Sequence, residues 1–152
     1  MDARAQTFTE LLLEVFRVNG LLLAAGDDLT RPVGLTSARW QVLGVAEHGP
    51  VPVAHVARTM GLSRQSVQVT ANGLARDGFI VFADNPHHRR AKLVRVTEKG
   101  ERALATLREQ QALWAERIGG EHELADLQRT LETLRGLKGS LERDASAKRG
   151  RR

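Results

Sequence analysis

Side chains with amide and hydroxyl groups concentrate in residues 63–72, near the middle of the chain. If this stretch is helical, they lie on the face opposite Val67, Ala71 and Leu74, whose spacing of four and three residues is typical of a buried stripe. A carboxamide can pair with the edge of a base, and an arginine can reach guanine or a phosphate. This face therefore suits a nucleic acid, and its candidate contacts are Ser63, Arg64, Gln65, Ser66, Gln68, Val69 and Asn72.

These side chains predict different kinds of contact. Arg64 is expected to hold a phosphate, which positions a protein without reading sequence. Gln65 and Gln68 are the better candidates for base recognition, because a carboxamide can pair both ways with adenine, and Val69 suits a thymine methyl group. The alternative is a plain solvent-exposed face, although a helix that needs only solubility more often carries Glu and Lys.

A second basic segment lies between two short runs of strand-forming residues, 79–83 and 92–96. The polar, turn-rich residues 84–91 between them include Arg89 and Arg90, so the runs predict a β-hairpin with a long basic tip. Guanidinium groups at such a tip suit the focused negative potential of a minor groove. Residues 63–99 carry seven basic and three acidic side chains, an excess that favours a polyanionic partner.

The elements that must position these groups follow from hydrophobic periodicity and from capping residues. A first helix over about residues 4–25 ends at the Gly26-Asp27-Asp28 sequence, and Thr36 or Ser37 caps a second helix. Ser37 either binds a backbone phosphate at this helix N-terminus or merely caps the helix. Three further helices are expected after the hairpin-bearing core or within it, so the full prediction is helices starting near residues 4, 37, 52, 63, 97 and 121.

Three helices followed by a hairpin, with a tight turn before the third helix, predict a mainly α fold with a small β-hairpin wing, the winged helix-turn-helix. In this architecture the third helix enters the DNA major groove. The outer helices carry apolar stripes too long for so small a core to cover, which predicts dimerisation through them. The expected organisation is a dimerisation helix at residues 1–30, a DNA-binding core at 35–100, dimerisation helices at 101–144 and a disordered basic tail at 145–152.

The sequence resembles the MarR (multiple antibiotic resistance regulator) family of bacterial transcription regulators. The similarity extends from residue 4 to about 144, and it is strongest at 35–43 (LTSARWQVL), 56–63, 74–80 (LARDGFI), 85–90 (NPHHRR) and 96–100 (VTEKG). The resemblance implies a homodimer bound to a pseudo-palindromic double-stranded operator, and we expect a repressor. Two positions depart from the family: His88 stands where an Asp usually precedes the arginine pair, and Asn72-Gly73-Leu74 replaces a common Asp-Arg-Leu run.

The same resemblance implies release of DNA by a small aromatic or phenolic ligand bound between the dimer helices and the winged domain. Residues that would line this cleft are Phe16, Arg39, Trp40 and Trp114. Packing in the core is an equally valid interpretation of Trp40.

Other chemistries find no support in the sequence. The absence of cysteine excludes disulfides, thiol nucleophiles and thiol redox sensing, and the five histidines lack the spacing of metal ligands, so no metal or other cofactor is expected. No phosphate-binding glycine loop or catalytic triad can be identified, which argues against an enzyme. With no apolar run near ~20 residues and no signal peptide, a soluble cytoplasmic protein is expected. The main alternative is a winged-helix module that docks protein rather than DNA.

Overall fold

A computed structural model describes residues 2–150 of the chain. It is mainly helical with a small antiparallel sheet, as the sequence predicts. The chain forms two compact units, one that ends at Gln110 and one that begins at Gln111. The elements are α1 (Ala3–Thr30), a 3₁₀ turn (Arg31–Val33), α2 (Ser37–Ala46), β1 (Val51–Pro52), α3 (Val53–Met60), α4 (Arg64–Arg76), β2 (Ile80–Ala83), β3 (Leu93–Val96), α5 (Glu98–Gly119) and α6 (Leu124–Arg149).

The core of the first unit lies where α2, α3 and α4 pack against the sheet and the start of α5. Leu43, Leu74, Ile80 and Leu107 are fully buried there, one from each of four elements. Burying a leucine or isoleucine side chain stabilises a fold by about 1.5–3 kcal/mol. These aliphatic contacts hold α4 so that only its polar face is left for other partners.

The sheet has three strands rather than the two of the predicted hairpin. β3 is central and pairs antiparallel with β2, with Val81 opposite Arg95, and with the two-residue strand β1, with Val51 opposite Val94. Periodicity cannot reveal a strand of two residues, because no alternation is visible over that length. Its pairing with β3 ties the start of α3 to the wing.

A tight turn joins α3 to α4. Gly61 adopts a left-handed conformation (φ 66°) that ends α3, which a residue without a Cβ does at no steric cost. The Ser63 side chain then accepts a hydrogen bond from the backbone N–H of Ser66 at 3.1 Å, which confirms it as the N-cap of α4.

The first helix is longer than the sequence indicates. α1 continues through Gly26 and Asp27 to Thr30, because contacts with α2 stabilise this last turn. Gly26 packs directly against the Ser37 side chain, leaving no room for a Cβ, and the Asp27 carboxylate accepts the Ser37 backbone N–H at 2.7 Å. The prediction that the Gly26-Asp27-Asp28 sequence ends the helix is therefore wrong.

The last helix also extends beyond its predicted end at residue 144. α6 reaches Arg149, so the expected disordered tail is helical over residues 145–149, while Arg151 and Arg152 lie outside the described residues. Lys148 lies 2.6 Å from Asp144 one turn earlier, and its charge also opposes the negative end of the helix dipole.

Candidate nucleic-acid interface

The polar face of α4 is exposed along its length, as predicted. Val67, Ala71 and Leu74 are buried, and the seven candidate contacts from Ser63 to Asn72 all lie on the exposed side. Val69 is 67% exposed although it is apolar, so nothing in the described chain covers it. The helix thus presents hydroxyl, amide, guanidinium and methyl groups together to a partner outside the chain.

Two amide side chains on this face are joined to each other. Gln68 donates from Nε2 to Oδ1 of Asn72 at 2.8 Å, one turn further along α4. The bond restricts the rotamers of both residues, so they present their remaining donor and acceptor atoms as one unit.

The hairpin tip is held in place by a single asparagine. The Asn85 side chain donates to the Ala91 carbonyl at 2.9 Å and accepts the His87 backbone N–H at 3.0 Å, which spans the turn. Arg89 and Arg90 are exposed on this tip, and within residues 2–150 neither takes part in an ion pair. His88, where the family usually has an acid, gives these arginines no negative partner.

The recognition face and the wing meet across a groove of about 640 Å³. Arg64, Gln65, Gln68 and Asn72 line it from α4, and Arg90 lines it from the wing. Five of the predicted contacts are therefore brought together, from segments about 20 residues apart in the sequence. The complete lining is Pro52, Val53, Ala54, Arg64, Gln65, Gln68, Asn72, Phe82, Arg90, Ala91 and Lys92.

Lys92 is a groove residue that the sequence analysis missed. Its charge joins those of Arg64 and Arg90, and its ion pair with Asp84, at 3.7 Å, is long and exposed. Such exposed pairs contribute little, so Lys92 is available to a phosphate. Its position next to a strand with two basic residues was the signal that could have found it.

Ser37 does not share this exposed position. It is 8% exposed, and its backbone N–H already donates to Asp27. Thr36, not Ser37, caps α2, by accepting the backbone N–H of Arg39 at 3.2 Å. A phosphate at this helix start would have to displace a carboxylate, so we do not include Ser37 in the interface.

The four candidate ligand residues have separate surroundings. Phe16 is 72% exposed on α1, and Trp40 is half-buried against the hydrophobic core, which agrees with its interpretation as a packing residue. Trp114 is half-buried in the second unit. Arg39 donates from Nη1 to Oδ2 of Asp77 at 2.6 Å, so its guanidinium already has an acidic partner.

The Arg39–Asp77 pair explains the unexpected Gly73. A Cβ at position 73 would lie 2.9 Å from Nη2 of Arg39, so the glycine leaves space for the guanidinium against α4. Glycine costs a helix interior about 1 kcal/mol relative to alanine. The hydrogen bond from Arg39 lowers the pKa of Asp77 below 3.8, with a smaller opposing effect of burial and further lowering by the charges of Arg39, Arg76 and Lys99.

Comparison with known proteins gives this architecture a family. A sequence profile described as MarR family matches residues 33–91, the segment that contains the recognition helix and the wing tip. The crystal structure of CouR from Rhodococcus jostii RHA1, bound to p-coumaroyl-CoA, superimposes with a TM-score of 0.75 and 26% identity over 84% of this chain and 90% of that one. The chain belongs to the MarR family.

Two relatives of this MarR-family chain extend the similarity beyond the winged core. An uncharacterised protein of Mycobacterium tuberculosis is 36% identical over 125 residues, or 82% of this chain and 87% of the relative. The transcriptional activatory protein BadR of Rhodopseudomonas palustris is 25% identical over 148 residues, or 93% of this chain and 84% of BadR. Membership makes the chain a DNA-binding transcription regulator and not an enzyme. Within residues 2–150, none of its helices combines the length and apolar character needed to cross a membrane.

Proposed function

We propose that this regulator binds a pseudo-palindromic duplex operator as a homodimer in the cytoplasm, represses transcription there, and releases DNA when a small aromatic ligand binds. The observation that carries the proposal is the groove between α4 and the wing, which combines three cations with three amide side chains. Cations supply affinity for the phosphate backbone, and amides supply recognition of bases.

Each side of the groove has its own task in this proposal. Gln65 and the linked pair of Gln68 and Asn72 enter the major groove and read base edges, with Val69 against a thymine methyl group. Arg64, Ser63 and Ser66 lie near the start of the helix and contact phosphates. Arg89 and Arg90 follow the neighbouring minor groove, and Lys92 adds a phosphate contact at the base of the wing.

Exposed apolar faces on the outer helices support the homodimer. α1 and α6 each expose a series of leucines or other large apolar side chains, a feature that marks interaction surfaces. A second copy covering these faces would place two recognition helices about 34 Å apart, one turn of DNA. The exposed residues are Leu13, Val15, Phe16, Val18, Leu21, Leu22 and Leu23 on α1, Leu113 and Ile118 on α5, and Leu124, Leu127, Leu131, Leu134 and Leu141 on α6.

Repression and ligand release form the finer part of the proposal. Repression requires only that a bound dimer occlude a promoter, so it needs no further surface. The CouR structure contains an aromatic acyl thioester, p-coumaroyl-CoA, which supports an aromatic effector here. BadR is named as an activator, so the direction of regulation is one of the outcomes that a promoter–reporter assay decides.

Selection from a random duplex pool tests the central claim. We expect an inverted repeat with half-sites about 10 base pairs apart, because two-fold protein symmetry is mirrored in the operator. Failure to enrich any sequence, together with a shallow salt dependence on random duplex, would refute DNA binding and favour a protein-docking module. For the effector, Trp114→Phe leaves Trp40 as the single fluorescent reporter, and flat fluorescence across a panel of phenolic acids and their thioesters would contradict the proposed cleft.

A further inference from the structure

The C-terminal end of the recognition helix is tied to two other elements of the first unit. Arg39, on α2, donates to the Asp77 carboxylate at 2.6 Å. Lys99, on α5, donates from Nζ to the Asp77 backbone carbonyl at 2.7 Å and lies 4.5 Å from the centre of the Phe79 ring. The residue that ends α4 is therefore held from both sides, by contacts that span 38 and 22 residues of sequence.

Arg39 makes the more deeply seated of these two contacts. Its side chain is 23% exposed, and it lies in the space left by Gly73 on α4 itself. The guanidinium thus packs on the helix backbone as well as on the carboxylate. A shift of α4 relative to α2 would break both contacts.

A small change of angle at this end has a large effect at the reading end. Nine residues separate Gln68 from Asp77, or about 14 Å of helix. A tilt of about 10° around Asp77 moves Gln68 by about 2 Å, whereas a hydrogen bond to a base tolerates only a few tenths of an ångström.

We propose that Arg39 is a positioning residue for DNA recognition: seated against Gly73 and paired with Asp77, it sets the angle at which α4 enters the major groove. This inference rests on the proposed function, because it presupposes that α4 reads bases. It gives Arg39 a role that needs no contact with either DNA or an effector.

Binding to two duplexes by the full-length protein tests this role. One duplex is the sequence that the unaltered protein selects from the random pool, and the other is a random duplex of equal length. We expect Arg39→Met to lower the ratio of the two affinities at least fivefold, the effect of losing one good base contact. The slope of log K against log salt on the random duplex is expected to stay unchanged, since no phosphate contact is lost.

Two further variants separate positioning from folding. Gly73→Ala introduces a better helix former but displaces the guanidinium, so we expect selectivity to fall with no decrease in the thermal midpoint. Arg39→Lys keeps the charge and is expected to restore most of the selectivity. Arg31→Met is the matched control, because Arg31 forms a 2.6 Å pair with Asp28 that lies away from α4 and is about 70% exposed.

The outcomes distinguish this inference from the function on which it rests. If the unaltered protein selects no sequence, the proposed function fails first. If it selects one and both Arg39→Met and Gly73→Ala keep its selectivity, Arg39 does not position α4. A decrease of about 0.9 or more in the steepness of the salt slope for Arg39→Met would show instead that Arg39 binds phosphate directly.

Discussion

The salt dependence of DNA binding is expected to report how many cations face the duplex. Arg64, Arg90 and Lys92 line the groove and Arg89 lies beside them on the wing tip, which makes four cations in each subunit. A dimer then neutralises about eight phosphates, for a slope of about −7 in a plot of log K against log salt. Affinity should fall about 10⁴-fold between 50 and 200 mM salt.

Arg90→Ala perturbs this quantity in a defined way. The substitution removes one phosphate contact from each subunit, so the slope should become less steep by about 1.8. Arg90 is exposed on the wing tip, so its removal should leave the fold intact. Fluorescence anisotropy of a labelled random duplex at four salt concentrations measures the slope, and affinity should fall for every duplex because phosphate contacts carry no sequence information.

The control for this prediction is Arg31→Ala, which removes the same charge from a residue outside the groove. Its slope should equal that of the unaltered protein. If Arg90→Ala leaves the slope unchanged, the wing does not contact phosphate. If Arg31→Ala reduces the slope as much as Arg90→Ala does, affinity reflects the overall charge of the protein rather than the groove, and the reasoning is refuted.

Three further predictions concern recognition, assembly and pH. Gln68→Ala should relax the preference at one base pair in each half-site by about 1–3 kcal/mol and leave the salt slope unchanged; selection from a random pool measures it, and an unaltered preference would contradict base recognition. Leu131→Asp should convert dimers to monomers in sedimentation, because a charge would be buried in the interface, whereas Glu132→Gln should not; a Leu131→Asp dimer would exclude this face. Asp77→Asn should destabilise folding by a constant amount between pH 5 and 8, since the pKa of Asp77 is lowered in the folded state; the difference should disappear as pH falls below 3.8 and through the folded value, and a difference that begins to shrink above pH 5 would contradict the Arg39–Asp77 pair.

Much of the recognition helix could be predicted from its own residues. The spacing of Val67, Ala71 and Leu74 identifies the buried face, and Ser63 identifies the helix start, because both signals act within one or two turns of helix. The exposed polar face of α4 then follows by geometry.

Helix ends that depend on distant contacts could not be predicted in this way. Gly26 looks like a helix breaker within its own segment, but in the fold it is where α2 packs against α1, and Ser37 supplies a partner for Asp27. The stabilisation comes from a residue ten positions away, outside any local window.

The sequence by itself determined the succession of helices and strands, the excess of positive charge around the reading helix and the resemblance to the MarR family, because all three depend on residue types and short spacings. Only the tertiary structure decided that Lys92 and Arg90 face Gln68 across one groove, and that Arg39 lies against Gly73 and pairs with Asp77. These contacts join residues 20 or more positions apart, and such pairs meet only once the aliphatic core has set how the helices and the sheet pack.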